Sequence, residues 1–343
     1  MDVSDYQIEM LDVEAADAFI LLIKTSDNSE FLILIDSGNY KDGDKIIAHL
    51  KQYYQGHDID LAIVSHCDKD HYGGFVRMLE KINDDDEDSI AIRQFWVNDP
   101  TMHNIDVNDV KYKRTQNSVD ENLKSVYTLE NDLNLLDLID SLSIPRFEQF
   151  AKTSINWEKL EQFAVSDSFF DCITILGPTE KFYESLILDM RNNLEASSVT
   201  ESVQDFAEAG SKISFDEVEE DDSAHNKSSL IFLFKVNGKK YLFSGDATRK
   251  SFGMVPDSHK NLMKDVHWLK VPHHGSDHNL NTDLLNYINP KIAYISTKEI
   301  KNDRSPNVVD ALKAHGCNVY STHVHGTLLY NGNRDGWTTV KPL

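Results

Sequence analysis

The chain has 343 residues, 40% of them apolar, including 16 Phe and 13 Tyr. That is enough for a substantial core, which excludes a disordered protein and allows one large domain or two smaller ones. Its formal charge of −23 excludes salt-driven coating of nucleic acid, which needs a basic face, but not a nuclease whose bound cations supply positive charge locally. No apolar run approaches the roughly 20 residues of a membrane span, and the acidic start Met1-Asp2-Val3-Ser4-Asp5 lacks the layout of a signal peptide. Cys67, Cys172 and Cys317 are too scattered for a disulfide framework, so a cytoplasmic protein with no membrane contact is expected.

In chain order, Tyr6 to Leu11, Ala18 to Lys24 and Phe31 to Ile35 read as strands, the last ending at Asp36-Ser37-Gly38. Asp44 to Gln55 has helical spacing, with Ile46, Ile47, Leu50 and Tyr54 on one side. Leu61-Ala62-Ile63-Val64 is a short apolar run, hence a buried strand. Val119 to Leu142 reads as one amphipathic helix stopped near Pro145. Asp171 to Leu176 is a strand, and 179–224 a helix followed by a long acidic connection. Leu230 to Val236 and Lys240 to Ser244 are strands joined at Asn237-Gly238, a hairpin signal. Trp268 to Val271 and Ile292 to Ser296 are strands, and Asn307 to His315 is a helix before Val319-Tyr320. The acidic patches Asp84 to Asp88 and Asp216 to Asp222 read as solvated loop.

Three strand ends carry the chemistry. His66-x-Asp68-x-Asp70-His71 follows the strand at Leu61 directly, and imidazole with carboxylate suits zinc, manganese or iron. Gly73-Gly74 then permits a tight approach into a helix. Phe243-Ser244-Gly245-Asp246 ends a strand in a carboxylate that could bridge two metals. Val271-Pro272-His273-His274-Gly275 follows another, and neighbouring histidines there point to opposite sides.

The order of these motifs, with Asp36-Ser37-Gly38 before them, resembles the metallo-β-lactamase superfamily, and most nearly the hydrolase domain of ComEC-type competence proteins. Leu11-Asp12-Val13-Glu14-Ala15-Ala16-Asp17-Ala18, Ile173 to Pro178, His225-Asn226-Lys227-Ser228-Ser229 and Gly326-Thr327 resemble further stretches of that branch. Departures are Glu14 and Ala16 for glycines, and Ser305-Pro306 for a His-Pro. His323 or His325 would have to replace that histidine, and His225 stands beside the place of a third metal-site histidine.

The resemblance implies an α/β protein of metallo-β-lactamase fold. That fold is a four-layer αββα sandwich with two facing mixed sheets, here one domain over 1–343 with insertions at about 79–160 and 179–224. It implies two divalent ions, Zn or Mn. His66, Asp68 and His273 are expected on one side, Asp70 and His71 on the other, and Asp246 between. Asp70, His274 and His325 are the expected catalytic groups, and Lys270 and Ser276 neighbouring contacts. The expected reaction is phosphodiester hydrolysis by a water that the ions deprotonate, on nucleic acid or a nucleotide. Lys111, Lys113 and Arg114 are candidate guides for its backbone. Hydrolysis of an ester, lactone or amide on the same centre, and a metal-binding scaffold acting through a protein partner, remain alternatives; the oligomeric state stays open. One or both insertions are expected to pack over or beside the metal pocket and narrow it.

Overall fold

The computed structural model describes residues 3–103, 125–129, 133–150, 172–197, 215–298, 306–332, 334 and 340–343. Its strands are β1 (Val3–Met10), β2 (Phe19–Thr25), β3 (Glu30–Ile35), β4 (Leu61–Ile63), β5 (Phe95–Trp96) and β6 (Arg146–Phe147), then β7 (Ile173–Gly177), β8 (Ile231–Val236), β9 (Lys239–Phe243), β10 (Trp268–Lys270), β11 (Ile292–Ile295), β12 (Asn318–Ser321) and β13 (Leu328–Tyr330). They form two sheets, ordered β13-β1-β2-β3-β4-β5-β6 and β12-β11-β10-β9-β8-β7. Both are mixed: β1, β2, β3 and β13 pair antiparallel while β3 to β6 run parallel. In the second sheet β7, β8 and β9 are antiparallel and β9 to β12 parallel.

The apolar strand runs are continuous because both faces of each sheet are covered. Along β2, Phe19, Leu21 and Ile23 point into a core shared with Phe232, Phe234 and Phe243 of the other sheet. Ile20 and Leu22 point the opposite way, into a second core. There they meet Ile46 and Leu50 of helix α1 (Asp42–Tyr53) and Phe75 and Leu79 of helix α2 (Lys69–Asn83). On the far side Ile231, Leu233 and Leu242 pack on Leu285 and Leu312 of the helices Thr282–Ile288 and Pro306–Ala314. Three apolar layers thus separate helix, sheet, sheet and helix, the αββα sandwich of the metallo-β-lactamase fold. Among the described residues no helix is long and apolar enough to cross a membrane.

Most expected elements stand within two residues of the sequence reading. Asn237 and Gly238 both have positive φ, 50° and 71°, as a two-residue hairpin turn requires. The expected helix Val119 to Leu142 is corrected. Ser125–Tyr127 is a single 3-10 turn, Thr128 bridges Asn134, and among the described residues of this span only Leu135–Ser141 is α-helical. The cause is Asn134, whose side-chain oxygen accepts from the backbone N–H of Leu136 and Asp137 and caps a helix starting there. Residues 119–124 and 130–132 lie outside the described residues. Strands β5, β6 and β13 were not expected; each is two or three residues long, too short for a period to show.

Candidate metal centre

The ends of the parallel strands place the site. Asp36 leaves β3, His66 leaves β4, Asp246 leaves β9, His273 and His274 leave β10 and Ser296 leaves β11. Asp17 joins them because β2 runs antiparallel to β3, so its start lies at the end of β3. Asp68 is the N-cap of α2 in extended backbone, and Asp70 and His71 occupy its first turn.

The glycines after His71 let α2 approach. A Cβ on Gly74 would sit 2.0 Å from the Ser37 carbonyl oxygen, and one on Gly73 would sit 2.5 Å from the Tyr40 nitrogen. Both obstacles are backbone, so neither yields. Gly74→Ala is expected to cost about 3 kcal/mol in a urea melt, the upper range for overpacking, and to weaken ion binding because α2 carries Asp70 and His71.

His71 is fully buried. Its Nδ1 donates to Asp36 Oδ2 at 2.9 Å, and Asp36 in turn accepts from the Ser65 amide and hydroxyl, each at 2.7 Å. This fixes the tautomer, leaving the Nε2 lone pair toward the pocket. That atom lies 3.3 Å from Asp246 Oδ2 and 3.7 Å from Asp70 Oδ2. His66 Nδ1 lies 3.0 Å from the Ser65 hydroxyl, and its Nε2 lies 3.3 Å from Asp68 Oδ2. His274 Nδ1 donates to the Ser296 carbonyl at 3.1 Å, and its Nε2 lies 3.2 Å from Asp70 Oδ2 and 3.7 Å from Asp246 Oδ2.

The donor set fits a divalent cation. The Nε2 atoms of His66 and His71 are buried without a hydrogen-bond partner, an expensive state unless something accepts their lone pairs. Ligand atoms of His66, His71 and Asp246 lie within 4.8 Å of one another, as do those of Asp70, His71 and His274. Burial alone would push the His71 imidazole down, but Asp246, Asp70 and Asp36 outweigh it and raise it well above the ordinary range. Burial would raise Asp246, yet His71, Lys270 and the two histidines after β10 hold it well below the carboxylate range. The carboxylates that favour a charged His71 would equally favour a divalent cation in its place.

Lys270 is 1% exposed. Its ammonium sits between Asp17 Oδ2 and Asp246 Oδ1, the latter at 3.1 Å, and donates to the Gly245 carbonyl at 2.5 Å. It clamps the two carboxylates in place.

The structure brings His66, Asp68, Asp70, His71, Asp246, His273 and His274 to one locus. His274, read as a catalytic contact, is the histidine grouped with Asp70 and His71. His273, read as a ligand, has its Nε2 3.9 Å from Asp246 Oδ2. Its Nδ1 faces Asn279 Oδ1 at 3.0 Å and Asp221 Oδ2 at 3.2 Å. Burial lowers His273, but Asp246 and Asp221 prevail and raise it to about 9. His225 does not face the pocket: Nδ1 meets Asp68 Oδ1 at 2.6 Å and Nε2 donates to the Met190 carbonyl at 3.1 Å. It orients Asp68.

His325 is engaged elsewhere. Its Nδ1 meets the Ser321 carbonyl at 2.9 Å and its Nε2 the Lys341 carbonyl at 2.9 Å, so the ring ties down the C-terminal segment. His323 is exposed and Ser276 buried. Ser305, Lys111, Lys113 and Arg114 lie outside the described residues.

Asp221 escaped the sequence reading because it sits in an acidic run taken for solvated loop. Asp216, Glu217, Glu219, Glu220 and Asp222 are exposed, as that reading expects, but Asp221 is half-buried beside the site. Asp221 Oδ2 accepts from Asn226 at 2.6 Å and from Asn279 at 3.1 Å, and Asp216 accepts from the Thr282 amide. Asp221, near the end of the 179–224 segment, thus lies against His273, Asn226 and Asn279. No sequence signal separates Asp221 from its acidic neighbours.

No protein-family model matches the chain. It is similar to ComE operon protein 3 of Bacillus subtilis (strain 168), at 30% identity over 125 residues. The match spans 36% of this chain and 16% of that protein. A long-form RNase Z from yeast aligns with 94% of this chain and 41% of its own at 13% identity, with a TM-score of 0.40. The chain thus spans less than half the length of either relative. The two-sheet architecture and the order of the ligand loops are those that the sequence's resemblance to the metallo-β-lactamase superfamily implies.

Proposed function

We propose that the chain is a metal-dependent phosphodiesterase acting on nucleic acid or a nucleotide. The observation that carries this reading is the convergence of His66, His71, His274, Asp70 and Asp246 around buried, unpartnered imidazole nitrogens. His66, Asp68 and His273 on one side, Asp70, His71 and His274 on the other, and Asp246 between them would hold two divalent ions, Zn or Mn. Bound ions supply charge neutralisation on the phosphoryl oxygens and a nucleophile at neutral pH. The phosphodiester assignment is supported by the resemblance of the motif order to the hydrolase domain of ComEC-type proteins. The three cysteines are buried and unbonded, which supports a reducing cytoplasm as the setting.

The chain's own residues do the positioning. Asp36 and the Ser296 carbonyl hold His71 and His274 with Nε2 inward. Lys270 holds Asp246. Asp70, a third exposed, faces solvent at the rim and orients the attacking water. Asp221 fixes the His273 ring from behind, as a carboxylate does for a ligating histidine. Asp221→Asn is expected to lower kcat/KM about 10–100-fold, with the melting temperature little changed.

The test is to count ions in the purified protein by mass spectrometry, strip them with chelator and restore Zn²⁺ or Mn²⁺. Rates are then compared on bis-p-nitrophenyl phosphate, single-stranded and duplex DNA, RNA, a cyclic nucleotide, and an ester and a lactone. Metal-restored cleavage of phosphodiesters is expected. Cleavage of the ester or lactone alone would overturn the substrate assignment, and ion-loaded protein inert on the whole panel would overturn the enzymatic one.

A further inference from the structure

Beside the histidines and carboxylates of the candidate centre stands one more buried donor. Asn226 is 5% exposed, and its side-chain oxygen Oδ1 is buried with no hydrogen-bond partner. An amide oxygen taken out of water without a donor is costly, so its place needs a cause. Which end of the amide is left over is fixed by Asp221. Nδ2 donates to Asp221 Oδ2 at 2.6 Å. Turned over, the amide would set its oxygen against that carboxylate, which accepts but cannot donate.

The surroundings of Asn226 are those of the His66–Asp68 side. It sits in the short helix Ala224–Lys227. His225, the residue before it, holds Asp68 through Nδ1. Ser229, three residues on, donates its amide to the Asn226 carbonyl at 3.1 Å and accepts the Asp246 amide on its hydroxyl at 3.0 Å. Nδ2 of Asn226 itself lies 3.5 Å from His273 Nδ1. On the same side the Nε2 of His66 is also buried without a partner. Both atoms offer a lone pair, one on an imidazole nitrogen and one on an amide oxygen. A cation accepts both, whereas a proton on either would satisfy one alone.

We propose that Asn226 Oδ1 is a ligand of the ion on the His66–Asp68 side, a donor beyond the His and Asp residues of the centre. The proposal rests on the metal-binding part of the reading above and not on its substrate. An amide oxygen is neutral and has no proton to lose, so it adds a donor without adding charge or competition from protons. It also gives Asp221 a second task. That carboxylate faces His273 Nδ1 and holds Asn226 Nδ2, so one side chain stands behind two donors of the same ion. Asn279 steadies it, donating to Asp221 Oδ2 at 3.1 Å.

The test uses the full chain, stripped of metal and titrated with Zn²⁺ against a chromophoric chelator, with melting temperatures read before and after loading. Asn226→Ala removes both the oxygen and the bond to Asp221. Asn226→Asp keeps an oxygen in place and removes only the donor to Asp221. Circular dichroism checks the fold of each. In Asn226→Ala one ion is expected to bind at least about tenfold more weakly, and in Asn226→Asp to stay within about threefold of wild type or tighter. Loading should raise the melting temperature of Asn226→Asp more than that of wild type, because until the ion arrives the new carboxylate faces Asp221 unscreened. Equal losses of affinity in the two variants would show that Asn226 acts only through Asp221, and unchanged affinity in Asn226→Ala that it holds no ion. Either result overturns the proposal, as would a wild-type chain that binds no ion. Ions that depend on Asn226 in a protein inert on every phosphodiester would support the ligand and count only against the phosphodiesterase reading.

Discussion

Asp70→Ala is expected to leave the chain folded and to slow turnover by about a thousandfold or more, equivalent to several kcal/mol of lost transition-state stabilisation. Asp70 Oδ2 stands 3.2 Å from His274 Nε2 and 3.7 Å from His71 Nε2, so it faces the atoms proposed to hold and orient the reacting groups. Its side chain is 33% exposed, so truncation opens no cavity in the core. The neighbouring contact that matters for the fold, from the Asp17 amide to the Asp70 carbonyl, is backbone and survives. Steady-state rates on a phosphodiester, with ion content and circular dichroism measured alongside, check the result. A rate within about tenfold of wild type, after contaminating nuclease is excluded, would remove Asp70 from the mechanism.

Arg334→Ala is expected to have the largest effect on stability, about 3–5 kcal/mol. Glu9 is wholly buried in β1, and the Arg334 guanidinium grips both its oxygens, Nη2 donating to Oε2 at 2.8 Å. His49 Nε2 lies 3.1 Å from Oε1, and the Tyr54 hydroxyl donates to Oε2 at 2.6 Å. The guanidinium also lies over the Tyr53 and Tyr54 rings, 4.6 and 4.9 Å from their centroids. Removing it strands a carboxylate in the core. Burial alone would raise Glu9, but hydrogen bonds from His49 and Arg334 outweigh it and hold it below its usual 4.5. A carboxylate lowered by folding adds stability above its unfolded value and loses it as pH falls through the folded one. The gap between wild type and Arg334→Ala should therefore be full near neutral pH and shrink below about pH 4. Urea melts across that range check it; a gap independent of pH would show that Arg334 acts through packing on the tyrosines rather than through Glu9.

What was legible in the sequence follows from what determines each feature. The apolar runs at Phe19, Phe31 and Ile231 report strands covered on both faces, a local pattern with a local cause. The ligand loops were legible because each follows such a run directly. The division of labour between His273 and His274 was not. Both residues take positive φ, 47° and 52°, so the alternation expected after a strand does not apply, and tertiary contacts with Asp221 and Ser296 decide which ring turns where. Asp17 and Lys270 pair across the molecule, and neither has a local signature for that.

The pairing of β13 with β1 bears on how the molecule is made. Ile8 faces Tyr330 and Met10 faces Leu328, so β1 is covered by a strand that emerges from the ribosome long after it. Until then β1 presents a row of unpaired backbone donors and acceptors to any neighbouring chain. Contacts so distant in sequence form slowly, and during that interval nascent chains are exposed to pairing with one another. A chain released before Leu328 would carry every residue of the metal centre and still keep a sticky edge, so its failure would show as aggregation rather than as a missing ligand.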